Sequence, residues 1–339
     1  MTDIEKRERL YELLGPLPAR NAAISSETLW IEEREGYILE KLLLTISDES
    51  SRSLFSEKIP AYFAKPKTAA SSGGSAAGGD TAPADDAAAP AGLPAVLFCH
   101  SHGGYELGKD ELIKGISYMY KVPYVEDLTR AGYAVLSFDF WCFGERRKDF
   151  HPEITSTHTS ITESEVFKDM LWQGEVLWGH MVYDGLKAFD YLASRPEVDA
   201  SRVASLGMSM GSTLSWWLAA LEPKIKVCVD LCCLTDYDAL AANNGFDLHG
   251  LYYFVPGLRR EFTTSDINCL IAPRPHLGTV GFYDPLTPTP GVMKIEREVT
   301  AYYDTFGAED HFRVLRYPVA HQETEVMRQD VMDFLEEYM

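Results

Sequence analysis

Gly207-Met208-Ser209-Met210-Gly211 joins an apolar run, RVASLGM, to a helix-like run, GSTLSWWLAALE. A serine between two glycines at a strand–turn–helix junction is a nucleophile arrangement. A sharp turn exposes the hydroxyl, and small flanking residues let strand and helix pass close to each other. The helix N-terminus then offers free backbone N–H groups and a positive partial charge to a developing oxyanion. Ser209 is therefore the candidate nucleophile, and the N–H of Met210 a candidate oxyanion donor. The competing reading of the same residues is a glycine-bounded turn with Ser209 as a helix cap.

A serine hydroxyl attacks poorly until a base takes its proton, and a histidine oriented by a carboxylate is the natural base. Asp284, in YDPLTP, follows the strand-like run HLGTVGF, and His321, in VAHQE, follows FRVLRYP. Both stand just past strand ends, in the order serine, acid, histidine. Asp236 and Glu145 are rivals for the acid. Of the nine histidines, His321 alone follows the last strand-like run and opens the last helix. His276 and His311 read as strand-edge or surface residues. His151, His158, His180 and His249 fall in insertions or helices without an assigned role.

Upstream, the run AVLFCH leads into His100-Ser101-His102-Gly103-Gly104. The loop after such a strand supplies the second oxyanion donor, and glycine there permits close backbone approach. The N–H of His102 is the candidate, with Gly103 as the alternative. His100 and His102 also form an H-x-H pair of the zinc type. No third ligand cluster lies near them in the sequence, and His100 reads as a packing residue. Serine chemistry of this kind needs no metal or organic cofactor, and none is expected.

These residues need a scaffold that brings separate strand ends together. After Pro94, short apolar runs alternate with helix-like runs, the mark of a mostly parallel sheet covered by helices on both faces. Active sites of such sheets lie at the carboxyl ends of the strands. Before Pro94, a helical pattern over roughly residues 3–14 precedes three strand-like runs, LWIEERE, YILEKLLLTI and KIPAYFAKP. Residues 1–66 are thus expected to form a helix and antiparallel strands belonging to the same domain as the core, 94–339. Residues 67–93 are almost all Ala, Gly, Ser, Pro and Asp, a composition that cannot bury enough apolar surface to offset its ordering entropy. They are expected to form a disordered loop.

Insertions near 145–180 and 236–268 are longer than simple connections and carry Trp172, Trp178, Tyr252, Tyr253 and Phe254, with Trp141 just ahead of the first. Over a strand-end site they read as lids around a partly apolar pocket, with Gly103, Trp141 and Tyr253 as candidate substrate-binding residues. The bland reading of each aromatic is core packing. Arg146 and Arg147 read as a solvated or ion-paired face, with a substrate carboxylate as the alternative partner.

The chain has 339 residues, 46% hydrophobic and 24% charged, enough for a sizeable core. Its formal charge of −20 argues against nucleic acid and anionic membranes as partners. No run reaches the roughly 18 apolar residues that span a bilayer, and the N-terminus lacks a signal-peptide pattern. The six cysteines form no C-x-x-C pair and read as buried thiols of a reducing cytoplasm. The expected partner is a small-molecule ester, and a homo-oligomer stays open.

The segments FCHSHGG, GYAVLSFDFWCFGERR, GMSMG, APRPHL, YDPLTP and YPVAHQE together resemble the α/β-hydrolase superfamily. Within it they resemble the bacterial group similar to dienelactone hydrolases and acetylxylan esterases. The resemblance runs from about Pro94 to the C-terminus and extends to the N-terminal helix and strands. It implies the α/β-hydrolase fold, Ser209, Asp284 and His321 as the triad, His102 and Met210 as oxyanion donors, and ester hydrolysis. Dienelactone hydrolases proper use a cysteine where this chain has Ser209. Glucuronoyl esterases place arginine where it has Met210. A peptidase or amidase with the same triad is the alternative enzyme, and a ligand-binding protein on this fold the alternative class.

Overall fold

The computed structural model describes residues 1–47, 58–67, 92–147 and 161–339. Nearly all of the low-complexity loop expected at 67–93, and part of the insertion expected near 145–180, lie outside them.

Among the described residues, nine strands form one sheet in the order β1-β2-β3-β5-β4-β6-β7-β8-β9. β1 (Ala23–Glu33), β2 (Tyr37–Ser47) and β3 (Lys58–Pro66) are an antiparallel meander, and β3 pairs antiparallel with β5 (Ala134–Phe138). From β5 onward every pair is parallel, through β4 (Leu93–Cys99), β6 (Val198–Met208), β7 (Val227–Leu231), β8 (His276–Gly281) and β9 (Phe312–Tyr317).

The apolar runs follow from burial on both faces. In β4, Ala95, Leu97 and Cys99 join the core on one side of the sheet, while Val96 and Phe98 join the core on the other. Helices Leu177–Ser194 and Met210–Leu221 cover the first side, through residues such as Met181, Leu186, Leu214 and Trp217. Helices Tyr124–Arg130 and Glu325–Tyr338 cover the second, through Val125, Leu128, Val331 and Phe334. A strand so placed has no solvent face on which polar residues could alternate.

The chain order reverses at β4, whose neighbours are β5 and β6. Cys99 pairs with Gly207, so the loops after β4 and β6 leave the sheet side by side. Gly281 pairs with Tyr317, so the loops after β8 and β9 do the same. All four loops leave from the carboxyl edge, where ligands bind in sheets of this kind.

Candidate active site

Ser209 sits between β6 and the helix Met210–Leu221 with φ 58° and ψ −117°, a backbone conformation that side chains other than glycine seldom adopt. Surrounding bonds hold it there. Its N–H donates to the Leu231 carbonyl (2.8 Å), and its own carbonyl accepts from Thr213 N (3.1 Å). Both flanking positions are sterically obliged to be glycine. A Cβ on Gly207 would lie 2.4 Å from Gly211 backbone, and one on Gly211 would lie 1.9 Å from the Cys99 carbonyl oxygen.

The separate strand ends deliver the partners expected from the sequence. His321 Nε2 stands 2.9 Å from Ser209 Oγ, and His321 Nδ1 stands 2.7 Å from Asp284 Oδ2. A carboxylate only accepts, so Nδ1 carries the proton and the Nε2 lone pair faces the serine hydroxyl. Asp284 Oδ1 accepts from Leu286 N (2.9 Å). The Leu286 carbonyl is anchored in turn by Thr235 Oγ1 (2.9 Å) and His249 Nε2 (3.1 Å). Burial pushes His249 down to about 4, so it is neutral and donates from Nε2.

The rival acids are engaged elsewhere. Asp236 caps the helix Tyr237–Ala242 and pairs with Lys294 at 3.0 Å, while Glu145 pairs with Lys109 (2.5 Å) and Lys41 (2.9 Å).

Met210 opens its helix, so its N–H has no acceptor within it. Beside it, the loop 100–104 is braced from below by Glu111. This buried carboxylate accepts from Ser101 N (3.1 Å) and Ser101 Oγ (2.5 Å). Burial pushes it up to about 7. His100 is a packing residue: it is wholly buried, stacks on Phe140 at 3.9 Å, and accepts from Phe140 N (3.1 Å). Burial pushes it down to about 3. His102 Nε2 meets Glu163 Oε2 at 2.6 Å, and among the described residues no His, Cys, Asp and Glu group suits a metal.

Ser209 and His321 open into a cavity of about 560 Å³. Leu248, Leu251 and Leu286 form its apolar wall, and His102, Tyr118 and Glu163 much of its polar one. Gly103 lines it as expected. The other two substrate-binding candidates do not. Trp141 is buried in the core with Arg146 stacked on its ring at 4.4 Å, and Arg146 is ion-paired to Asp184 (2.6 Å). Tyr253 lines a separate small apolar cavity with Tyr237 and Phe246, while its neighbour Tyr252 faces the Ser209 cavity. Trp172 points into solvent.

His276 also departs from expectation. It is fully buried in the sheet, 2.6 Å from Asp230 of the neighbouring strand, because a buried imidazole needs a polar partner and β7 supplies one.

Sequence reasoning missed Glu111, Tyr118 and Glu163. For Glu163 a signal existed: it shares a helix face, at spacings of three and four, with buried Val166 and Met170. A lone carboxylate on an apolar face calls for a partner.

Residues 116–244 match the family model "Acetyl xylan esterase (AXE1)". Over 336 residues the chain is 45% identical to "Putative hydrolase YtaP" of Bacillus subtilis (strain 168), covering 99% of each. A solved structure named as a "putative acetyl xylan esterase" from Bacteroides fragilis NCTC 9343 aligns with a TM-score of 0.65 at 18% identity, over 93% of this chain and 74% of that one. A promiscuous CE15 esterase from the marine bacterial metagenome aligns at 0.63 and 15%, over 99% and 91%. At such identities the structural likeness speaks for the fold. Identity along almost the whole length speaks for more: the chain belongs to the family of the Bacillus subtilis hydrolase, as an α/β-hydrolase similar to the acetyl xylan esterases.

Proposed function

We propose that the chain hydrolyses carboxylic esters through an acyl-enzyme on Ser209. The observation that carries this reading is the hydrogen-bond chain Asp284–His321–Ser209, at 2.7 and 2.9 Å, at the mouth of a cavity. His321 Nε2 takes the Ser209 proton as Oγ attacks the ester carbonyl carbon. The oxyanion rests on the N–H groups of Met210 and His102. The intermediate collapses when His321 gives its proton to the leaving alcohol. Water then attacks the acyl-enzyme with His321 again as base. Asp284 stays ionised throughout, fixing the imidazole and stabilising its charged form.

The cavity favours a small or medium ester with both apolar and hydrogen-bonding surface. The match to the acetyl xylan esterase family model favours an ester over an amide, and a short acyl group. Six free, buried cysteines favour a reducing compartment, the cytoplasm. Among the described residues, no helix is long and apolar enough to cross a membrane.

The test is labelling with a fluorophosphonate probe, wild type beside Ser209→Ala and His321→Ala, with the adduct located by peptide mass spectrometry. A stoichiometric adduct on Ser209, slowed without His321, is expected, followed by turnover of p-nitrophenyl esters that falls as the acyl chain lengthens. A folded wild type that takes no probe would overturn the mechanism.

A further inference from the structure

We infer that Glu163 is a positioning residue of this site, holding the His102 loop and the second inserted segment in place over Ser209. The inference rests on the reading of Ser209 as nucleophile and of the His102 N–H as oxyanion donor.

Glu163 lies on the inserted helix Ile161–Gln173, on the face shared with Val166 and Met170, and is 2% exposed. A carboxylate so buried is costly unless donors surround it. Two separate stretches of chain provide three. His102 Nε2 (2.6 Å) and Tyr105 OH (2.8 Å) reach Oε2 from the loop after β4, and Tyr252 N (2.9 Å) reaches Oε1 from the second insertion. Burial alone would raise the carboxyl, but these hydrogen bonds outweigh it and leave it below its ordinary value. It is therefore ionised and accepts from all three.

The second insertion fits onto this pair because position 250 has no side chain. A Cβ on Gly250 would stand 2.7 Å from His102 Nε2 and 2.8 Å from Glu163 Oε1. The His102 ring is held further by Tyr252 at 5.4 Å and Phe143 at 5.3 Å between centroids. Glu163 thus joins both insertions to the residue whose backbone N–H faces the developing oxyanion. Such a donor works because it is placed before the charge appears. A displacement of about 1 Å can cost on the order of a hundredfold in rate.

Glu163→Gln keeps the shape but replaces one acceptor oxygen by a donor. Either the Tyr252 N–H or the His102 and Tyr105 pair then faces an N–H group. The experiment measures kcat and KM for p-nitrophenyl acetate, normalised to the Ser209 titrated by the fluorophosphonate probe, with a thermal midpoint for each variant. The expected result is a kcat per titrated serine lowered roughly ten- to hundredfold with KM nearly unchanged, since the loss falls on the transition state alone. A purely structural role would lower the midpoint and the titrated fraction and leave kcat per site at the wild-type value, which would overturn the inference. If Glu163→Gln does not fold, Tyr105→Phe decides: it removes one donor without touching the helix, and a kcat loss of about threefold or more at unchanged KM is expected. An unchanged kcat there would overturn the inference. No adduct on wild-type Ser209 would bring down the nucleophile reading itself, whereas labelled Ser209 with an indifferent Glu163→Gln brings down only the role of Glu163.

Discussion

Gly211 crosses the end of β4 so closely that a Cβ on it would stand 1.9 Å from the carbonyl oxygen of Cys99 and 2.6 Å from that of His100. The helix that follows Ser209 therefore meets the loop carrying His102 backbone to backbone.

Gly211→Ala should accordingly be severe. Overpacking a core costs about 1–3 kcal/mol when side chains can adjust, and here the obstacle is backbone. Urea denaturation should show a loss at the upper end of that range or beyond, with Ser209 labelling lost in parallel. An unchanged midpoint with full labelling would show that helix and strand can separate at no cost.

Asp284→Asn should leave the fold intact and nearly abolish turnover. Leu286 N–H occupies Oδ1, so the asparagine oxygen is retained there and its amide N–H₂ faces His321 Nδ1. The imidazole must then protonate at Nε2, which turns a donor toward Ser209. A fall in kcat of about 10⁴-fold is expected, read from p-nitrophenyl acetate hydrolysis. A loss under tenfold would mean that another carboxylate orients His321.

Glu111 should give the protein a stability that depends on pH. Its folded value is raised to about 7 from an ordinary 4.5, chiefly by burial. Between these values the native carboxyl keeps a proton that the unfolded chain releases. Its contribution is fully present below about pH 4.5 and is lost as pH rises toward 7, on the order of 3 kcal/mol in all. Unfolding free energies at pH 5 and pH 8 should show wild type losing more than Glu111→Gln over that interval. Equal losses in the two proteins would rule out a protonated Glu111.

All six cysteines are free and buried, and burial raises several of the thiols, Cys233 to about 12. Ellman's reagent should find no fast-reacting thiol in the native protein and six in urea. A rapidly reacting native thiol would reveal a cysteine that solvent reaches.

The sequence by itself determined whatever depends on neighbours in the chain. The glycine–serine–glycine spacing around Ser209 was legible because three residue types at fixed spacing fall within five positions, although the close approach that demands Gly211 is to Cys99 on another strand. The strands of the parallel sheet were legible because burial on both faces leaves apolar runs, as in β4. Asp284 and His321 could be nominated because both follow strand-like runs, HLGTVGF and FRVLRYP.

Only the tertiary structure decided which side chains share a space. Tyr252 and Tyr253 are consecutive and chemically alike, yet in the one-turn segment Leu251–Tyr253 they face different cavities. No periodicity separates two residues in so short a turn. Trp141 was nominated for the pocket as an aromatic near an insertion, and its place beneath Arg146 follows from the helix that brings Asp184 to that arginine. His276 was misread because its partner, Asp230, belongs to another strand. Glu163 lies 61 residues from His102, and a buried charge takes its meaning from whichever donors the fold brings to it.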